Sequence, residues 1–176
     1  MHKHKSFVAN FMKNKRIAHS LVAILLIGFA SCQLYAQPHG KTKMDTSPIF
    51  PKGQRAPARN FTGTVWVQPL IEADSAFNIP VGYVTFEPGA RSHWHRHAGG
   101  QVLLALGGIG YYQERGKPIQ ILRKGDAVKC PPNVPHWHGA SPTVEFRQVA
   151  ITPNTATGRV TWLQPVSDKE YNSLDK

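Results

Sequence analysis

From Phe61 onward the chain alternates short runs of β-branched and aromatic residues with glycine, proline and polar punctuation. Thr62 to Leu70 (TGTVWVQPL) opens the series. Val81 to Phe86 (VGYVTF) follows and is closed by Glu87-Pro88-Gly89. Gln101 to Leu106 runs into Gly107-Gly108, which predicts a turn, and Ile109 to Gln113 reads as the returning strand. Ile119 to Leu122 stops at Lys124-Gly125-Asp126, and Ala127 to Cys130 stops at Pro131-Pro132-Asn133. Val144 to Thr152 and Val160 to Leu163 complete the set. Branched and aromatic side chains suit a pleated surface, and Gly/Pro clusters interrupt strand pairing. Strands at this spacing predict an all-β sandwich or barrel. One short C-terminal helix is predicted, because Ser167 with Glu170 three residues on makes a capping box. There are no internal repeats and no glycine-rich loop opening a helix.

The first sixty residues follow another pattern. Leu21 to Ala30 (LVAILLIGFA) is apolar, follows Lys13, Lys15 and Arg16, and precedes the small residues Ser31 and Ala36. This run falls short of the ~20 residues a membrane-spanning helix needs. It matches the core of an export signal. Residues 1–36 are therefore expected to be a signal peptide cleaved after Ala36, leaving an exported, periplasmic or secreted protein with no membrane span. Lipid attachment at Cys32 is the alternative. Met12 begins a more ordinary signal than Met1 does. Residues 37–60 carry Pro38, Gly40, Pro48, Pro51, Gly53 and Pro57 and predict a linker or extended N-terminal arm. Residues 61–176 are left as a single domain.

Charge changes the picture little. The formal net charge is +11, but five of the positive side chains precede Gln37 and no acidic one does. From Gln37 on, the balance falls to +6, the arginines are scattered and no basic helix appears. Nucleic acid is not an expected partner. A homo-oligomer is expected, because small barrels expose sheet edges and the Pro-rich arm is placed to add to a neighbour's sheet. With Cys32 in the targeting segment, Cys130 stands alone at a strand end. It reads as a buried structural thiol without an intramolecular disulfide.

Two histidine clusters carry the chemistry. The first is His93-Trp94-His95-Arg96-His97 with Gln101 close behind; the second is His136-Trp137-His138. On a strand, side chains two apart share a face. His95 and His97 can therefore close on one ion, with His136 joining from a later strand. Imidazoles and an amide oxygen suit a borderline divalent metal. His138 shares a face with His136 and reads equally as an acid/base group or a structural neighbour. His93 would share the face of His95 on a regular strand. Ser92 can hydrogen-bond a substrate hydroxyl, a strand-edge role being the plainer reading. Trp94 and Trp137, on the opposite face, read as packing or subunit-contact residues. Arg91 needs no role beyond solvation.

The spacing is specific. Gly89, His95, His97, Gln101 and Gly108 follow the first cupin motif, with Gln101 in place of its usual Glu. Gly125, Pro131, Asn133 and His136 follow the second, with Asn133 in place of Gly. The chain is identified as resembling the cupin superfamily, whose fold is the double-stranded β-helix or jelly-roll barrel. The stretches Phe61-Thr62-Gly63-Thr64-Val65, Thr85 to Arg91, His95-Arg96-His97, Gly100-Gln101 and His136 to Ala140 resemble the bacterial manganese-dependent hydroxynitrile lyases of the mandelonitrile lyase type. That resemblance implies a three-His, one-Gln metal site of His95, His97, Gln101 and His136, with manganese favoured and iron next. It implies a carbon–carbon lyase acting on a small α-hydroxynitrile or related hydroxy/carbonyl compound. His138 would be the base, and Ser92 and His93 would contact substrate. An iron-dependent dioxygenase, or a non-catalytic cupin binding a small ligand, are the alternatives.

Overall fold

The computed structural model describes residues 48–158 and 160–175. The expected signal peptide, Cys32 and residues 37–47 of the arm lie outside the described residues. Among the described residues, twelve strands make one curled sheet. They are β1 (Gln54–Arg55), β2 (Phe61–Thr62), β3 (Val65–Ile71), β4 (Val81–Phe86), β5 (Arg91–Ser92), β6 (His95–Arg96), β7 (Gln101–Glu114), β8 (Gln120–Arg123), β9 (Ala127–Cys130), β10 (His136–Ala140), β11 (Phe146–Ile151) and β12 (Thr161–Trp162). The main path runs β1-β3-β4-β11-β7-β10-β5-β2, with β8 and β9 also on β7, and β6 bridging β10 and β12. Every pairing is antiparallel. This is the jelly-roll architecture that the strand spacing and motifs pointed to.

The long strand β7 differs from expectation. Gly107-Gly108 does not reverse the chain. One strand of 14 residues passes through both glycines. Its first half pairs with β9 and β11, and its second half with β8 and β10. The glycines let it cross from one face of the barrel to the other. Gly108 sits at φ 76°, and a Cβ there would lie 1.7 Å from the Glu145 carbonyl oxygen. Only a residue without Cβ can take that left-handed conformation so close to a backbone oxygen. A register shift opposite Arg147/Gln148 marks the same bend.

Two clusters hold the fold. The inner one includes Val65, Val84, Phe86, Leu103, Leu122, Val128 and Phe146. Phe86 and Phe146 are fully buried and stack at 6.4 Å. Burial of each such ring contributes about 1.5–3 kcal/mol. Cys130 belongs here as a free thiol, and burial pushes it up to about 12, so it is inert. The second cluster lies on the outer face, where Trp94, Tyr111, Trp137 and Val166 pack beneath Tyr171. Both tryptophans are thus packing residues within the chain.

The helix α1 (Asp168–Tyr171) starts at the expected capping box: Ser167 Oγ accepts from Glu170 N, and the Glu170 carboxylate accepts from Ser167 N. Tyr171 Oη donates to the Ala140 carbonyl at 2.7 Å, which pins α1 to β10. Arg91 is buried, contrary to a solvated reading. Its guanidinium lies 4.5 Å from the Tyr171 ring centre, donates to the Val166 carbonyl and pairs with Asp168 at 2.6 Å. A planar donor fork over an aromatic face explains why an arginine fills this position. No helix among the described residues is long and apolar enough to cross a membrane.

Candidate metal centre

The site is built where β5, β6 and β10 meet. His136 of β10 is registered opposite His95 of β6, and Gly139 opposite Arg91. Gly139 permits that approach, since a Cβ there would lie 2.5 Å from the Ala90 carbonyl oxygen. The chain leaves the strand at His93 and Trp94, resumes it for His95 and Arg96, and leaves it again at His97. Strand periodicity therefore does not extend across the whole first cluster. The His93 amide donates to the Asn60 carbonyl, and the His93 carbonyl accepts from His95 Nδ1 at 2.9 Å. His93 contributes main chain to the centre and is absent from the cavity wall described below.

Four imidazoles gather. The candidate ligating nitrogens of His95, His136 and His138 lie within 4.8 Å of one another. The His97 ring lies 5.2 Å from that of His95 and 5.8 Å from that of His136. His95 and His136 each give Nδ1–H to a main-chain carbonyl, those of His93 and Val134, both at 2.9 Å. A carbonyl can only accept, so each ring carries a proton on Nδ1, and in the neutral form that burial favours Nε2 is bare. That is the orientation metal-binding imidazoles adopt. Gln101 Oε1 approaches His136 Nε2 to 3.3 Å, while its Nε2 reaches Thr152 Oγ1 at 3.5 Å.

Electrostatics favour a cation. Burial holds the imidazoles of His95 and His138 well below their ordinary pKa, with neighbouring histidines adding to the effect. Burial likewise pushes His136 down to about 4. His93 is lowered by burial and by the Arg91 charge. Burial thus favours the neutral form of His95, His136 and His138. Among the described residues no carboxylate lines the adjoining cavity. A divalent metal fits these residues: imidazole nitrogens plus one amide oxygen suit Mn, Fe, Co, Ni or Zn.

The cavity beside the centre measures about 150 Å³. Its wall combines Ser92, His95, His97, Gln101 and His138 with apolar Phe61, Val84, Ala150, Val160 and Trp162. His136 lies behind this wall, fully buried. The Trp162 ring lies 4.9 Å from the His95 ring and 5.4 Å from Phe61. Ser92 Oγ accepts from the His138 backbone amide at 3.1 Å, leaving its own hydrogen free to turn toward the cavity. Six of the seven residues singled out from the sequence thus converge: Ser92, His95, His97, Gln101, His136 and His138.

Gln148 was not foreseen. It is fully buried on β11, and its Nε2 lies 3.0 Å from His138 Nδ1. Its signal in the sequence was a polar side chain between Phe146 and Ala150 at an inward-facing position of a strand. The apolar wall residues carry no such signal, since any barrel interior is apolar.

The comparisons agree with this geometry. Residues 82–151 match the cupin domain family. Over 117 residues the chain is 39% identical to (R)-mandelonitrile lyase from Granulicella tundricola, an alignment covering 66% of this chain and 89% of that relative. A solved cupin-like protein from Thermotoga maritima is 48% identical, with TM-score 0.70 over 71% of this chain and 95% of that one. The DMSP lyase DddQ from Ruegeria pomeroyi, 19% identical with TM-score 0.51 over 69% of this chain and 62% of its own, shares the fold alone. The chain belongs to the cupins and is closely related in sequence to mandelonitrile lyase.

Proposed function

We propose that this cupin is a lyase that cleaves small α-hydroxynitriles, and forms them in reverse. Its cofactor is a divalent transition metal, manganese first and iron next. His95, His97, Gln101 and His136 would hold the metal. When bound, it supplies Lewis-acid polarisation of the substrate's oxygen. His138 takes the hydroxyl proton at Nε2. The bond between the carbinol carbon and the nitrile carbon then breaks, leaving an aldehyde and cyanide. His138 returns the proton to cyanide, so that hydrogen cyanide leaves. Ser92 can donate its hydroxyl hydrogen to a substrate oxygen or nitrogen, while His93 supports the site through its main chain. The apolar wall from Phe61 to Trp162 receives the substrate's side group and limits it to small alkyl or aryl groups.

The observation that carries this reading is the donor set itself. Imidazole nitrogens and an amide oxygen gather beside a small, largely apolar cavity, and no acidic side chain among the described residues lines it. A ligand set without negative charge leaves a bound cation's full charge for the substrate. The test is metal analysis of natively purified protein, followed by aldehyde release from mandelonitrile in air and under anaerobic conditions. Equal rates in both atmospheres are expected. Activity that requires oxygen, or none with metal-loaded protein, would overturn the reading.

A further inference from the structure

Three of the buried histidines, His95, His136 and His138, differ in what holds Nδ1. For His95 and His136 it is a carbonyl, which keeps the proton of the neutral ring on Nδ1 and leaves Nε2 bare. For His138 it is the side-chain amide of Gln148, which contains both a donor and an acceptor. In the structure the amide nitrogen faces His138 Nδ1 at 3.0 Å. An NH₂ group can only donate, so Nδ1 is the acceptor and the ring proton is on Nε2. In that form His138 offers an N–H to the cavity. It can neither ligate a metal nor take a proton.

We propose that Gln148 is the positioning residue that sets the tautomer of His138, its two amide orientations making His138 a proton donor or a proton acceptor. The inference rests on the reading of His138 as the proton carrier. With Nε2 of Gln148 on Nδ1, His138 rests as a donor, excluded from the ligand set that its distance to His95 and His136 would otherwise permit. Turned half a revolution about its last bond, the amide brings Oε1 to Nδ1. It then holds Nδ1–H and bares Nε2 as the base. The same orientation also serves the imidazolium formed when Nε2 takes the substrate proton. Little opposes the turn, because Gln148 Oε1 is buried without a hydrogen-bond partner as it stands. Turning exchanges one unsatisfied group for another and breaks no fully paired network. A carbonyl at this place, like those behind His95 and His136, would fix one tautomer.

The test is nitrogen NMR of the full chain loaded with diamagnetic zinc and labelled with ¹⁵N. The His138 signals are assigned by their loss in His138→Ala. In the wild type we expect the proton on Nε2 and a through-hydrogen-bond coupling between Gln148 Nε2 and His138 Nδ1. Gln148→Glu, whose carboxylate only accepts, should move the proton to Nδ1. Gln148→Met should lower kcat for mandelonitrile by at least ~10-fold with KM within ~2-fold, because proton transfer and not binding is affected. A wild-type proton on Nδ1, an unchanged tautomer in folded Gln148→Glu, or a wild-type kcat in Gln148→Met would overturn the proposal. If Gln148→Glu does not fold, the wild-type coupling decides alone. If wild-type protein fails to cleave mandelonitrile, the lyase reading falls while the ring-nitrogen signals still decide the tautomer.

Discussion

Gln101 Oε1 and His136 Nε2 face each other at 3.3 Å, and in the neutral ring with its proton on Nδ1 both are acceptors. The proton of His136 is committed to the Val134 carbonyl through Nδ1. Two lone pairs at that distance with no hydrogen between them repel each other. A cation reverses the sign: two ligand atoms at right angles on an ion with bonds of about 2.1 Å stand about 3 Å apart. In the proposed site the two atoms would bind the ion together.

Natively purified protein should therefore carry close to one divalent transition metal per chain. His97→Ala and His136→Ala should each strip it, since each removes one of few bonds to the ion. Elemental analysis decides this. Undiminished metal in both variants would end the assignment of this ligand set.

Gln101→Glu should keep the metal and weaken the lyase. The carboxylate adds a negative charge at the ion and reduces its pull on the substrate oxygen. A loss of ~10-fold, about 1.4 kcal/mol of barrier, is expected in kcat for mandelonitrile. A faster variant would contradict the electrostatic argument.

His138→Ala separates base from ligand. Its Nδ1 is engaged by Gln148 and its ring packs edge-on against Phe86 at 5.5 Å. Loss of the ring should leave the metal in place and lower the rate by ~100-fold or more, the scale of a lost general base. An emptied metal site would instead make His138 a ligand.

The metal-free protein should lose stability as the pH falls from about 6.5 to about 4. His136 titrates near 4 when folded, against 6.5 for an exposed histidine. Between those values the unfolded chain binds a proton that the folded chain refuses, so protonation favours unfolding. The contribution is present in full above pH 6.5 and amounts to about 3 kcal/mol for His136 alone. His95 and His138, lowered by burial, act in the same direction. Denaturant titrations of chelated protein at pH 7.5 and 4.5 measure the effect, and equal midpoints would refute it.

Gly108→Ala should be far more damaging than Gly116→Ala. Both positions have positive φ, 76° and 81°. A Cβ at Gly108 would meet the Glu145 carbonyl at 1.7 Å, whereas at Gly116 it meets nothing within 4 Å. The first change should cost more than about 3 kcal/mol, the second about 1 kcal/mol. Thermal unfolding of the two variants gives the comparison, and equal losses would mean that the crossing of β7 tolerates a side chain.

Much of the fold was legible because its determinants are local. Branched residues between Gly/Pro breaks mark β3, β4, β9 and β11, and Ser167 with Glu170 marks the start of α1. The ligand candidates were legible from spacing, since the two histidine clusters match motifs whose residues need only hold their order. What the sequence could not decide depended on distant neighbours. Gly107-Gly108 has the composition of a turn, yet strands on both sides of the barrel keep β7 one continuous strand through it. His93 shares strand parity with His95, yet the chain leaves the strand there, where Asn60 and His95 take its main-chain groups. Arg91 has the look of a surface charge, yet Tyr171 and Val166, some eighty residues on, enclose it. Gln148 is an unremarked polar residue until β11 sets it against His138. Spacing along one strand determines which residues share a face. Only closure of the sheet determines what that face meets, and for a buried imidazole the partner at the second nitrogen decides which nitrogen holds the proton.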